Sequence, residues 1–265
     1  MTVKSVLDET PGADAALRDG HYATKQIFCK DRLIAWSHRR RFETGLRLAS
    51  RFEGRRLLDY GCGDGTFLAL LHARNAPAES VGAELDEFQV NDCRKRLGRL
   101  SGVRFETIAR LDEVSHRGRY DAVVCMEVLE HVVALDSVID RLWRLLADEG
   151  TLLVSVPVEI GVPLLLKQAV RRIAGWRGIG DYPGTSPYTV REYWLSVFAG
   201  DAQHIPRPVH GTDGPMPFHD HKGFNWRALR AQISRRFKPV RTIASPIGWL
   251  GPHLATQVWF ELRKQ

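Results

Sequence analysis

Leu57-Leu58-Asp59-Tyr60-Gly61-Cys62-Gly63-Asp64-Gly65-Thr66-Phe67 decides the fold of this chain, because an apolar strand runs there into spaced glycines and leaves as a helix. Gly61 and Gly63 let the backbone turn tightly and approach a ligand where a β-carbon would collide, and Gly65 permits close entry into the helix. Glu84, nineteen residues after Gly65, closes the next strand. An acid at that point can accept both ribose hydroxyl hydrogens. A glycine turn ahead of a helix commonly receives a pyrophosphate. Here Asp59 precedes the glycines, and an acid repels a phosphate but attracts an ammonium. The turn therefore suits a nucleoside that carries an amino acid better than a dinucleotide.

Outward from this turn, residues 56–157 alternate short apolar runs with helical patterns, the mark of βαβ units on a parallel sheet. Strands are expected at Arg56–Tyr60, Ser80–Leu85, Val103–Thr107, Tyr120–Met126 and Thr151–Val156, with helices at Thr66–Arg74, Phe88–Leu100 and Ser137–Ala147 between them. Fifteen of residues 158–218 are Gly or Pro, so an insertion after the fifth strand is expected there, holding helices at Val162–Trp176 and Thr189–Phe198 rather than strands. In the first of these helices Leu166, Val170 and Ile173 oppose Lys167, Arg171 and Arg172. A helix over Trp226–Phe237 and strands over Val240–Ala244 and Thr256–Arg263 complete one α/β fold. The expected organisation is an N-terminal helical cap (1–50), a core (51–160), a lid or substrate insertion (161–220) and the end of the same core (221–265). Phe28, Trp36, His38 and Arg39–Arg41 belong to the cap, which is expected to close the pocket, with His21 and Tyr22 near the ligand's amino-acid end.

With 44% hydrophobic and 26% charged residues, the composition excludes disorder, collagen and a disulfide miniprotein. The longest apolar runs fall far short of the ~20 residues that cross a bilayer. The N-terminus shows no basic head followed by an apolar run, so a cytoplasmic address is expected. Cys29, Cys62, Cys93 and Cys125 form no CxxC pair and are expected to remain thiols. The net charge of +7 is uneven: residues 51–159 carry −5, residues 160–265 carry +9 and residues 1–50 carry +3. A basic surface of that kind attracts nucleic acid, membrane or anionic substrate, or is simply solvated.

Met126-Glu127-Val128-Leu129-Glu130-His131 leaves the fourth strand at the edge where open α/β sheets bind ligands. His131 can act as a general base, since an imidazole titrates near neutral pH. Alternatively, Glu127, Glu130 and His131 can hold a divalent cation that lowers an acceptor hydroxyl's pKa. Phe218-His219-Asp220-His221-Lys222-Gly223-Phe224-Asn225-Trp226 supplies His221 as a further ligand or base, unless it contacts substrate or caps the next helix.

Taken with Gly82-Ala83-Glu84-Leu85-Asp86, Tyr120-Asp121-Ala122-Val123-Val124-Cys125-Met126-Glu127-Val128-Leu129-Glu130-His131-Val132 and Asp148-Glu149-Gly150-Thr151-Leu152-Leu153-Val154-Ser155-Val156-Pro157, the glycine stretch makes residues 50–160 resemble the class I, Rossmann-like S-adenosylmethionine-dependent methyltransferases. The resemblance implies a methyltransferase sheet with helices on both faces, S-adenosylmethionine as cofactor and a set of cofactor-binding positions. Asp59, Tyr60, Gly61, Cys62 and Gly63 would lie at its methionine end, Glu84 at the ribose and Leu85 on the adenine, with Leu111 and Met126 also in the pocket. The family's usual Asp after the third strand is replaced by Thr107-Ile108-Ala109-Arg110-Leu111. Met126–Val132 is similar to the ubiquinone-pathway O-methyltransferases, which implies a small or lipid-linked hydroxyl acceptor and peripheral membrane contact. Glu127-x-x-Glu130-His131 with His221 is more loosely similar to the metal site of small-RNA 2′-O-methyltransferases. That likeness implies Mg²⁺ or Mn²⁺ and an RNA acceptor as the alternative, and a non-catalytic, membrane-associated protein of the same fold is the third reading. No obligate protein partner is expected.

Overall fold

A computed structural model describes residues 19–30, 32–176, 185–203, 205–212 and 216–265, without the side chains of 33, 34 and 170–176. The expected basic and apolar faces of residues 170–173 thus lie outside the described residues. Among these residues the strands are β1 (Arg56–Tyr60), β2 (Glu79–Glu84), β3 (Val103–Thr107), β4 (Tyr120–Met126), β5 (Leu146–Pro157), β6 (Val209–His210), β7 (Phe218–His219), β8 (Phe237–Ser245) and β9 (Gln257–Lys264). The helices are α1 (His21–Gln26), α2 (Arg32–Ala49), α3 (Thr66–His72), α4 (Glu87–Leu97), α5 (Leu135–Leu145), α6 (Gly161–Trp176), α7 (Val190–Val197) and α8 (Trp226–Ile233).

Seven strands form one sheet in the order β3-β2-β1-β4-β5-β9-β8. The first five are parallel, and β9 runs antiparallel to both β5 and β8. The central strands β1 and β4 are nearly continuous in buried residues because both faces of the sheet are covered. On one face Leu58, Tyr60 and Val123 meet Ile139 and Leu142 of α5 and Leu229 and Ile233 of α8. On the other, Leu57, Ala122 and Trp259 meet Phe42 and Leu46 of α2, Phe67 and Leu70 of α3 and Cys93 of α4. The result is an open, doubly wound α/β sheet with helices on both faces. Strand order reverses between β1 and β4, so their carboxyl ends flank one crevice.

Several boundaries differ from the sequence expectations. β5 begins at Leu146 rather than Thr151, because Leu146 pairs with Tyr120 ahead of the Asp148-Glu149-Gly150 excursion. The helix expected over Trp226–Phe237 stops at Ile233, and Phe237 instead opens β8 as a fully buried sheet residue. Pro239 is tolerated there because β8 is an edge strand. The insertion contains strands after all: β6 and β7 pair antiparallel, and Phe218 bridges to Val132 beyond β4. Two-residue strands carry no readable alternation. Phe28 falls in the turn after α1 rather than inside a helix.

Candidate active site

Asp59 is the penultimate residue of β1, in register with Gly82 and Val124, deep between two strands. Its side chain is 1% exposed, and neither carboxylate oxygen has a hydrogen-bond partner among the described residues. Burial first, then the charges of Glu84 and Asp64, push its pKa up to about 8. Such a group gains most from an incoming cation. The turn beyond it is built for close approach. Gly61 has φ +76°, and a β-carbon there would lie 2.4 Å from Val128 Cγ2, in the loop after β4.

Glu84 faces this turn from the end of β2. Its Oε2 accepts from the Gly63 N–H at 2.9 Å and its Oε1 from the Leu85 N–H at 2.7 Å, which fixes the carboxylate beside the glycines. Asp64, which sequence reasoning did not single out, has a different duty. Its Oδ1 accepts from the Thr66 hydroxyl at 2.6 Å and its Oδ2 from the Tyr22 and Ala23 N–H groups at 2.9 and 2.8 Å. Those two amides belong to the first turn of α1, where no intrahelical acceptor exists. The Tyr22 ring then lies over Gly63, with Cδ2 3.1 Å from where a β-carbon would stand. The positioning of His21–Tyr22 beside the turn follows from this anchor.

The other expected cofactor positions are distributed unevenly. Leu85 is 51% exposed at the rim. Cys62 is buried at the turn, and Met126, half-buried, packs against the α2–α4 core layer. Tyr60 and Leu111 instead pack into the opposite core layer, and the Tyr60 hydroxyl meets Arg141 Nη1 at 3.4 Å. Alternation along β1 sends Tyr60 to the face opposite Asp59, so Tyr60 offers the turn only its backbone.

At the end of β4, Glu127 sits in the left-handed region with φ +56°, a conformation that costs a non-glycine residue free energy and concentrates at functional sites. Its N–H donates to Ser155 O at 3.0 Å, its Oε1 accepts from Ser155 Oγ at 3.0 Å, and its Oε2 lies 3.3 Å from Arg41 Nη1. Arg41 is buried on α2 and also donates to Gln26 Oε1 at 2.6 Å. Glu127 is thus committed to α2 and β5, not to the cation cluster expected of it.

The remaining three candidates converge. Glu130, His131 and His221 each present a donor atom within 4.8 Å of the others. Glu130 is fully buried with both side-chain oxygens unpartnered among the described residues, and burial, with Glu127 second, pushes its carboxyl well above the usual range. The backbone carbonyl of Glu130 accepts from Arg207. His131 Nδ1 donates to His219 O at 2.8 Å, which leaves the lone pair on Nε2, 3.9 Å from Glu130 Oε1. The His221 ring stands 4.9 Å from that of His131, and burial holds its imidazole down at about 4, hence neutral at pH 7. The β6–β7 ladder carries His221 here: Phe218 and His219 bind the backbone of Val132 and His131, and the chain turns at Asp220.

The family profile described as a methyltransferase domain matches residues 34–205. The ubiquinone biosynthesis O-methyltransferase of Bordetella avium is 38% identical over 102 residues, covering 37% of this chain and 41% of that protein. The chain spans under half the length of the curated relatives it matches. The PH0226 protein of Pyrococcus horikoshii OT3 superposes with a TM-score of 0.56 at 16% identity, over 86% of this chain and 91% of the other. The N-methyltransferase NodS of Bradyrhizobium japonicum WM9, in complex with S-adenosyl-L-homocysteine, does so with 0.53 at 13% identity, over 97% and 98%. At these identities the superpositions speak for the fold.

Proposed function

The chain belongs to the methyltransferase-domain family, among the class I S-adenosylmethionine-dependent methyltransferases, and on that premise we propose that it methylates a hydroxyl of a small or lipid-linked acceptor. The observation that carries the cofactor assignment is the unpartnered, buried Asp59 carboxylate beside the Gly61–Gly63 turn, with Glu84 fixed next to it. When bound, S-adenosylmethionine supplies an electrophilic methyl on a sulfonium, which departs as a neutral thioether. Asp59 would take the methionine ammonium, the bare backbone of the turn the chain beside it, and Glu84 the ribose hydroxyls.

The acceptor side follows from β4. The acceptor oxygen gains the methyl carbon and gives its proton to a base. His131 Nε2 is aimed for that, because the His219 carbonyl fixes the other nitrogen as a donor. The main contribution beyond that is placement of the hydroxyl in line with the transferring methyl.

The Glu130–His131–His221 cluster favours a second reading of the same site. One carboxylate and two imidazoles suit a borderline cation such as Mn²⁺ better than the oxygen-preferring Mg²⁺, and a cation there would lower the acceptor's pKa, with His131 then a ligand rather than the base. The two readings separate in one assay, in which labelled S-adenosylmethionine is offered to phenolic, lipid-extract and short-RNA hydroxyls with and without chelator. Chelator-insensitive transfer to phenolic or lipid hydroxyls supports the base mechanism, and chelator-sensitive transfer supports the metal. A cofactor-binding protein that methylates none of these pools contradicts hydroxyl methylation.

Lipid linkage gains support from α7. Val190, Trp194 and Leu195 are exposed on it and Phe198 just past its end, the Trp194 and Phe198 rings stack with centroids 5.8 Å apart, and Arg191 follows Val190 in sequence. Aromatic, aliphatic and basic residues together suit an anionic lipid interface. Among the described residues, no helix is long and apolar enough to cross a membrane.

A further inference from the structure

Asp64 occupies an unusual position. One carboxylate serves two helices: Oδ1 holds the start of α3 through Thr66, and Oδ2 takes both free amides at the start of α1. Its backbone carbonyl accepts from Arg96 Nη2 at 2.8 Å, so the carboxylate's own mooring is rigid. α1 is short: buried Ala23 and the Ile27 that follows it pack inward, Arg39 holds the Ile27 carbonyl, and Asp64 takes the two amides at its start. At the same place Tyr22, 40% exposed, lays its ring across Gly63. Asp59, on the strand that leads into this turn, is 1% exposed. A group as large as an α-amino acid reaches that carboxylate only if what covers it moves.

From this geometry, and resting on the cofactor assignment above, we propose that α1 is a hinged strap over the methionine end of the cofactor site and that Asp64 is the clasp that shuts it. Cofactor entry and product release then require the Tyr22 and Ala23 amides to leave Asp64 Oδ2. The far end of the strap reaches the acceptor side, because Gln26 Oε1 holds Arg41, which in turn lies against Glu127. Closing the strap thus places Arg41 as well. Asp64 and Gln26 are positioning residues in this scheme, acting through α1 and Arg41.

The experiment measures S-adenosylhomocysteine release by rapid chase, and hydrogen exchange at the Tyr22 and Ala23 amides, on the full chain. In the wild type, both amides are expected to exchange more slowly with S-adenosylhomocysteine bound than without it. Asp64→Asn, which forfeits the charge-assisted bonds to α1, is expected to release the ligand roughly fivefold to tenfold faster. Tyr22→Ala removes the cover without touching Asp64 and is expected to speed release too. Thr66→Ala, which loses only the α3 side of the clasp, is expected to leave release within about twofold of wild type. Unchanged exchange at the two amides on ligand binding overturns the proposal, even where Asp64→Asn fails to fold. Wild-type release rates in both Asp64→Asn and Tyr22→Ala overturn it as well. A wild type that binds no S-adenosylhomocysteine overturns the cofactor assignment itself, and with it the strap.

Discussion

Asp59 is the residue whose chemistry can be read most sharply. Its folded pKa of about 8 stands above the ordinary carboxylate value, so the folded, ligand-free protein holds a proton that the unfolded chain releases. Stability from this group is therefore full below about pH 4 and is lost as pH rises towards 8. Asp59→Asn removes that loss, and the ligand-free variant should melt above wild type at pH 8 by more than it does at pH 4. Binding an ammonium restores the charged form. Titration of S-adenosylhomocysteine at pH 7 in buffers of different ionisation enthalpy should thus show release of close to one proton, absent in Asp59→Asn. Proton uptake on binding would contradict the assigned partner. His131 offers a second, separable test. His131→Ala should keep S-adenosylhomocysteine affinity within about threefold yet lower kcat by about 100-fold or more on whichever hydroxyl is methylated.

The elements that place these residues were legible to different degrees. The strand, glycine turn and helix at 56–72 could be read because every signal there is local: an apolar run, glycines at fixed spacing and a helical stripe. Glu130, His131 and His221 could be named from residue types, and β4, β6 and β7 bring them together. What stayed hidden is non-local. The Asp64 bonds to α1 span 41 and 42 residues, and the Arg41 contact that commits Glu127 joins α2 to β4. Neither has a sequence period. The segment that carries His221 is secured by Asn225, whose Oδ1 caps α8 by accepting from the Arg227 and Ala228 N–H groups. Its Nδ2 donates to Gly200 O and Ala202 O at 3.0 Å each, tying the insertion to the core. Asn225→Ala should cost about 2 to 3 kcal/mol in urea unfolding, and Asn225→Asp, which keeps the cap but loses the amide donors, about half of that. Equal effects of the two would show that the cap alone matters.

Taken whole, the molecule sets an acidic core sequence between basic flanks, with +9 over residues 160–265 and an exposed aromatic helix in the same part of the chain. Association with anionic vesicles is expected at low salt and should weaken as salt rises, with Trp194→Ala/Phe198→Ala lowering the bound fraction several-fold. Vesicle binding indifferent to both changes would remove α7 as the lipid contact. Everything argued for the acceptor stands on the cofactor. The decisive measurement is calorimetric titration of S-adenosylhomocysteine into the wild type and into Glu84→Ala, whose lost carboxylate otherwise lies beside Gly63. The account predicts one saturable site in the wild type and a loss of at least about tenfold in affinity in the variant. No binding by the folded wild type, or equal binding by both proteins, would contradict it.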